Sequence, residues 1–503
     1  MSARLVPLSL MAVAAMAAAG SPDRRVVEAA KSADRGAVFT LLQQHADVKA
    51  AEPDGTTALH WAAREDDVEM ADRLIKAGAD VKAANRYGVT PLYLACQNGS
   101  AAMIEKLVAA GADPNAAVTL GETALMTAAR TGHVEAVRVL LSHGAAVDAR
   151  EGWRGQTALM WAASEGHPEM VKELIAHGAD VNARSAVQHW ERQVTAEPRE
   201  KWLPPGGWTP LMFAARQNCL ECARILVEKG ADLNAQDPDG LDSVLLAAIN
   251  GHYDVAIFLT EKGADPNLAD NTGRTPLYAA VDFHTMPASN RPAPNELDNQ
   301  YTSLDLIKTL IAHGANVNAR LLKQQPYRAK LDRGTDTMFT TGTTPLLRAA
   351  KAGDVEVVRL LLGKGADPRL TTKTEINPLM AAAGVGTKEE DTTGRRKTEA
   401  ETIETIRLLL DAGVDINAAD NRGETALFGA ARQGYTEVVK FLAEHGGRLD
   451  VKNSRGFTAL DAAEGKAGGA GFDGSAGVPH EATAALIRKL MGVPAAQLEA
   501  RPK

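Results

Sequence analysis

The sequence predicts an all-α solenoid of about twelve helix-turn-helix repeats joined by β-turn fingers and interrupted by five loop insertions. Three observations predict it. A short phrase returns at a period of 33 residues, as Thr57-Ala58-Leu59-His60, Thr90-Pro91-Leu92-Tyr93 and Thr123-Ala124-Leu125-Met126. Most copies along the chain carry paired alanines, many a glycine turn, and then apolar residues spaced by three and four, the pattern of a one-sided helix. Apolar residues make up 45% of the 503 residues but aromatics only 4%, so the core is aliphatic and is shared between neighbouring repeats.

Taken in order, the chain opens on an export signal at 1–19. Arg4 supplies a positive start, Leu5 to Ala19 a short apolar stretch, and Ala17-Ala18-Ala19 the small residues a signal peptidase needs before Gly20. The stretch is too short to span a bilayer, which takes about twenty apolar residues, and no cysteine follows it to carry a lipid. Residues 20–53 form an N-terminal capping repeat, with Val26, Val27, Ala29 and Ala30 in the core pattern but no polar phrase. Repeats then fill 54–320, with insertions at 185–205 and 285–302, followed by an inserted loop at 321–341. A second run at 342–454 carries an insertion at 384–401. Residues 455–503 form the C-terminal cap, with a glycine-rich loop and a tail.

Within a repeat each position has a physical role. Thr caps the first helix, Pro or Ala suits its first turn, and the following Leu enters the core. Pairs such as Ala62-Ala63, Ala128-Ala129, Ala162-Ala163, Ala214-Ala215, Ala349-Ala350 and Ala430-Ala431 let neighbouring inner helices approach closely. Gly132-His133, Gly166-His167 and Gly251-His252 end the inner helix, and an outer helix follows in which Val355, Val358, Leu361 and Leu362 face the core. Asp54-Gly55, Asp239-Gly240 and Arg422-Gly423 mark finger tips. The phrase is weaker at Asp242-Ser243 and Asn377-Pro378, and long insertions flank 272–421, which predicts faster amide exchange there than in 57–184.

The openings of Thr-Pro-Leu-His type, paired alanines, Gly-His turns, Leu-Leu runs and Gly-Ala-Asp-x-Asn closings together resemble the ankyrin-repeat family over nearly all of the chain after the signal. With the export signal, the chain resembles exported ankyrin-repeat proteins of bacteria. The resemblance implies a non-catalytic scaffold that binds a protein partner through the concave face and the fingers, in the periplasm or after secretion.

The insertions are the most individual feature of the sequence. Those at 185–205 and 321–341 lie on the finger side, and the other three separate inner from outer helices. Trp190 and Trp202 sit in the first insertion with Trp153 and Trp208 in neighbouring fingers, which gathers four of six tryptophans on one side. Tryptophan is a favoured interface anchor; folding onto one another as a satellite core is the competing reading. The loop at 321–341 carries Lys323, Arg328, Lys330 and Arg333 with Tyr327 and Phe339. It reads as a cationic-aromatic patch or as a solvated loop, and Tyr327 and Arg328 join the four tryptophans as candidate partner-binding residues.

Catalytic, metal and cofactor sites are not expected. Gly469-Ala470-Gly471-Phe472-Asp473-Gly474 spells a dinucleotide-binding motif but joins two helices rather than a strand and a helix. Cys219 and Cys222 have the spacing of a redox or half-zinc motif, yet they occupy a turn position and a core position of the repeat; a local disulfide is the other reading. Most histidines fall at repeat positions, leaving His189, His284 and His480 far apart. A net charge of -8 argues against nucleic acid. The expected molecule is a monomer with no membrane-inserted segment once the signal is removed, and the rival function is a redox protein or enzyme that uses the cysteine pair.

Overall fold

The computed structural model describes residues 23–188, 205–285, 299–323, 341–387, 397–467 and 477–492. Twelve helix pairs occur among them. The inner helices are Arg25–Lys31, Ala58–Arg64, Pro91–Asn98, Ala124–Thr131, Ala158–Ser164, Pro210–Arg216, Ser243–Asn250, Pro276–His284, Pro345–Lys351, Pro378–Ala382, Ala426–Arg432 and Ala459–Ala463. Each is followed by an outer helix, from Arg35–Gln43 in the first repeat to Glu481–Leu490 in the last. Extended pairing among the described residues is limited to single bridges at finger bases, such as Ala51 with Thr57 and Ala419 with Thr425. The chain divides into two compact bodies, Met1–Ala186 with Glu228–Gly230, and Val187–Val227 with Ala231–Lys503.

In both bodies the inner helices pack on the inner helices of neighbouring repeats and on their own outer helices. Small residues make this approach possible: the six alanine pairs named above are all buried. The Leu after the cap is buried from Leu59 to Leu427 but only half-buried at Leu460, in the last of the described repeats. In the outer helix Val355–Gly363 the buried stripe is Val357, Val358 and Leu361. Val355 and Leu362, expected in the core, are half-buried at its edge.

The caps follow the sequence closely. Thr90 Oγ1 accepts from the backbone N–H of Tyr93 at 3.2 Å, and Thr123, Thr209, Thr275, Thr344 and Thr425 repeat the bond. The two irregular openings keep the bond with a different atom: Asp242 Oδ1 accepts from Leu245 N at 2.7 Å and Asn377 Oδ1 from Met380 N at 2.9 Å. In the second repeat His60 Nδ1 accepts from Thr57 N at 3.1 Å, which leaves Nε2–H to donate to Val89 O at 3.0 Å in the next finger. Burial holds the pKa of this imidazole below its ordinary value.

The recurrent His and Asn residues tie one repeat to the next. His167 reaches back to Arg130 O at 3.1 Å, His252 to Ala215 O at 2.9 Å and His480 to Arg432 O at 2.9 Å, satisfying carbonyls at the ends of preceding inner helices. Gly99, at φ 69°, must be a glycine: a Cβ there would stand 2.0 Å from the His133 ring. The Asn of the closing phrase both donates to and accepts from the next repeat. Asn318 Nδ2 donates to Gly365 O at 3.1 Å while its Oδ1 accepts from Asp367 N at 2.8 Å, and Asn115, Asn267 and Asn417 do likewise.

The fingers are linked by their backbones, with Arg86 N donating to Asp54 O at 2.7 Å, Gly152 N to Leu120 O at 2.6 Å, and Ser454 N to Arg422 O at 2.7 Å. The ends of the finger-side insertions belong to this ladder. Gln188 N donates to Pro205 O at 2.6 Å, and Leu321, buried at the base of its finger, exchanges bonds with Gly342 and Thr343. The insertion expected at 384–401 ends earlier, because Thr398 and Glu401 form a capping box and the outer helix Glu399–Asp411 starts there.

Candidate functional site

Of the four tryptophans singled out on the finger side, Trp190 and Trp202 lie outside the described residues, as do Tyr327, Arg328 and the glycine-rich motif at 469–474. Trp153 stands at a finger tip and is 53% exposed. Its turn is fixed from beneath by the buried Glu151, whose carboxylate accepts from Trp153 N at 2.6 Å, Arg154 N at 2.7 Å and Gln156 N at 3.0 Å. The guanidinium of Arg154 lies 4.5 Å from the Trp153 ring centre. The result is an aromatic side chain held in solvent on an ordered backbone.

Trp208 is not an open anchor, because it is only 6% exposed. Its indole N–H donates to Asp237 Oδ2 at 3.0 Å, and its ring meets Phe213 edge-on at 5.4 Å. Burial pushes the Asp237 carboxyl above the usual range despite these bonds. Trp208 therefore fills its own repeat, and the expectation that it contacts a partner gives way to a packing role.

Two neighbours of Trp153 were missed by the sequence reading. Tyr87 and Leu120 occupy finger tips two periods and one period before it and are 54% and 65% exposed. Their spacing, 87, 120 and 153, equals the repeat period and is the signal in the sequence that marks them.

The cysteine pair forms a disulfide across one turn, with Cα atoms 5.2 Å apart. Cys222 is fully buried and faces the core of the outer helix Leu220–Glu228, a position with no access for an exchanging thiol. Cys96 is a buried free thiol whose pKa is raised by burial. Among the described residues no group of three or more His, Cys, Asp or Glu is arranged to hold a metal ion, and no helix is long and apolar enough to cross a membrane.

One constellation of catalytic residue types does occur. His284 Nδ1 lies 2.7 Å from Ser303 Oγ, and its Nε2 lies 3.2 Å from Asp354 Oδ2. Asp354 is buried, and its Oδ1 caps the outer helix Val355–Gly363 by accepting from Val357 N at 3.2 Å. The three groups join the end of one inner helix to the starts of two outer helices, and we read them as a clasp. His480, which the sequence left unplaced, is a second such tie.

Comparison with known proteins places the repeats. Models of ankyrin repeats match residues 26–118, 103–185 and 398–468 (three copies), 211–260 (many copies) and 341–373 (a single repeat), together more than half of the chain. The ankyrin repeat and KH domain-containing protein mask of Drosophila melanogaster is 36% identical over 123 residues, 24% of this chain and 3% of that protein. Human ankyrin repeat and KH domain-containing protein 1 is 35% identical over 121 residues, 24% of this chain and 4% of that protein. The ankyrin repeat, SAM and basic leucine zipper domain-containing protein 1 of Mus musculus is 34% identical over 136 residues, 27% of this chain and 22% of that protein. The matches thus span a small part of each relative, and all three are animal proteins, which lends no support to a bacterial or exported origin. The crystal structure of the human ASB11 ankyrin repeat domain matches with a TM-score of 0.40 and 27% identity, covering 48% of this chain and 98% of that one. The chain belongs to the ankyrin-repeat family.

Proposed function

We propose that the chain is a non-catalytic scaffold that binds a protein partner on its finger side, as a monomer and in an exported compartment. The observation that carries the binding reading is Trp153, a large aromatic side chain 53% exposed on a turn whose backbone is fixed by Glu151. Ordering such a side chain on binding costs little, because its turn is ordered already. Trp190, Trp202, Tyr327 and Arg328 belong to the same proposal on their finger-side position in the sequence. Export rests on Arg4, the apolar stretch from Leu5 to Ala19 and the alanines before Gly20. The disulfide between Cys219 and Cys222 is compatible with an oxidising compartment.

Affinity capture with the full chain tests the binding reading, with a Trp153→Ala, Trp190→Ala, Trp202→Ala variant as control. A partner retained by the chain and lost from the variant supports it. No retained partner, or one retained equally by a folded variant, contradicts it. Export is tested separately by sequencing the N-terminus of the protein recovered from its native source: a start near Gly20 supports a cleaved signal, and an intact start at Met1 opposes it.

A further inference from the structure

We infer that the fingers of the third, fourth and fifth repeats form a docking row for an acidic, extended peptide segment with an apolar side chain at every third position; this rests on the scaffold reading above. Tyr87, Leu120 and Trp153 stand at successive finger tips within one compact body and are all more than half exposed. Burying apolar groups of this size is favourable, so three exposed in one row mark a surface that a partner covers. Leu120 adds a backbone argument. It holds φ 77° and ψ 7°, the left-handed region, at a position where Gly or Asn would sit without strain, and its side chain is the most exposed of the three.

The charges of the row select the partner. Arg86, Arg150 and Arg154 are exposed beside the three apolar tips. Arg86 lies 4.8 Å from the Tyr87 ring and Arg154 lies 4.5 Å from the Trp153 ring, while Arg150 donates to the carbonyls of Gly155 and Arg184. The nearby carboxylates are engaged otherwise. Glu151 is buried under its own turn, Glu122 accepts from Thr127 Oγ1 at 2.8 Å and faces Arg130, and Asp54 is held low in pKa, first by the Thr56 N–H and further by Arg86. A chain of net charge -8 thus presents a basic, aromatic-studded edge, which complements a segment bearing carboxylates between apolar side chains.

Spacing sets the conformation. Inner helices pack about 8–10 Å apart, and the fingers step at a comparable interval, tied one to the next by Thr119 Oγ1 donating to Tyr87 O at 2.9 Å and Gly152 N donating to Leu120 O at 2.6 Å. A polyproline-II segment rises about 3.1 Å per residue with three residues per turn, so every third side chain falls on one face at about 9 Å. One apolar residue per finger follows, with acidic residues between.

The test uses fluorescein-labelled peptides repeating Glu-Pro-Leu, Lys-Pro-Leu or Glu-Gly-Leu, titrated with the full chain and followed by anisotropy. The expected result is at least tenfold tighter binding of Glu-Pro-Leu than of Lys-Pro-Leu at low salt, and several-fold weaker binding of the glycine version. A Tyr87→Ser, Leu120→Ser, Trp153→Ser variant loses at least tenfold, an Arg86→Glu, Arg154→Glu variant reverses the charge preference, and the exposed Leu490→Ser control changes nothing. Equal binding of acidic and basic peptides, or acidic binding that survives both finger variants, overturns the inference. If the peptides fail while partner capture still depends on Trp153, only the partner chemistry falls; if capture fails as well, the scaffold reading falls with it.

Discussion

Asp242 offers a test of the physical account that needs no partner. It caps the inner helix Ser243–Asn250 where other repeats use Thr; it is 1% exposed, and its second oxygen, Oδ2, is buried without a hydrogen-bond partner. Burial raises its pKa from 3.8 to about 7; the N–H groups of Leu245 and Val244 oppose the rise, and Asp265 and Asp237 add to it. An acid whose pKa is higher in the folded state is neutral and harmless below the unfolded value. Its penalty grows as pH rises from about 4 to about 7 and is complete above that. At about 1.4 kcal/mol per pH unit, the full penalty is of order 4 kcal/mol. Asn377 shows that a neutral amide makes the same cap, so Asp242→Asn is the natural perturbation. The assay is amide exchange of 243–261, corrected for the intrinsic rate, in variant and wild type from pH 5 to 9. Because the other titrating groups are shared, the difference isolates Asp242. The variant should be more protected, by an amount that grows with pH toward a plateau above 7. A difference independent of pH, or a wild type better protected at pH 8 than the variant, refutes the reasoning.

Other predictions follow from burial and bonding. Trp208→Ala should destabilise its repeat by about 3–5 kcal/mol, the usual cost of emptying a buried aromatic site, whereas Trp153→Ala should leave stability within about 0.5 kcal/mol as an exposed substitution does; denaturant titration of both variants checks the contrast. Asn318→Ala removes two bonds to the next repeat and should cost about 1–2 kcal/mol, read as faster exchange in 355–363. Arg348 and Asp282 form a pair 2.8 Å apart with both side chains 1% exposed. Asp282→Asn removes the carboxylate charge that faces the buried guanidinium and should cost about 3–5 kcal/mol, seen as a lowered melting temperature.

Periodicity made much of this legible. The 33-residue register placed the inner helices and the caps, including those at Asp242 and Asn377, because a repeated local rule is read many times over. What the sequence left hidden depends on a single instance. Nothing in Trp208 itself distinguishes a ring turned onto Asp237 from one turned to solvent, and the register does not say that Arg348 meets Asp282 across two repeats. The early start of the outer helix at Glu399 was readable, since Thr398 and Glu401 spell a capping box, but the polar composition of the insertion masked it. The candidate site divides in the same way. Trp153 was identified correctly as a finger residue, while Tyr87 and Leu120 needed their exposure to stand out.

The central claim is that the finger side engages a protein partner, and differential amide exchange of the chain with and without its captured partner tests it most directly. The account predicts protection at the finger turns 86–89, 119–122 and 151–156, with the outer helices Val68–Lys76 and Val134–Ser142 unchanged. Protection confined to the outer helices, with the finger turns exchanging as in the free chain, contradicts it.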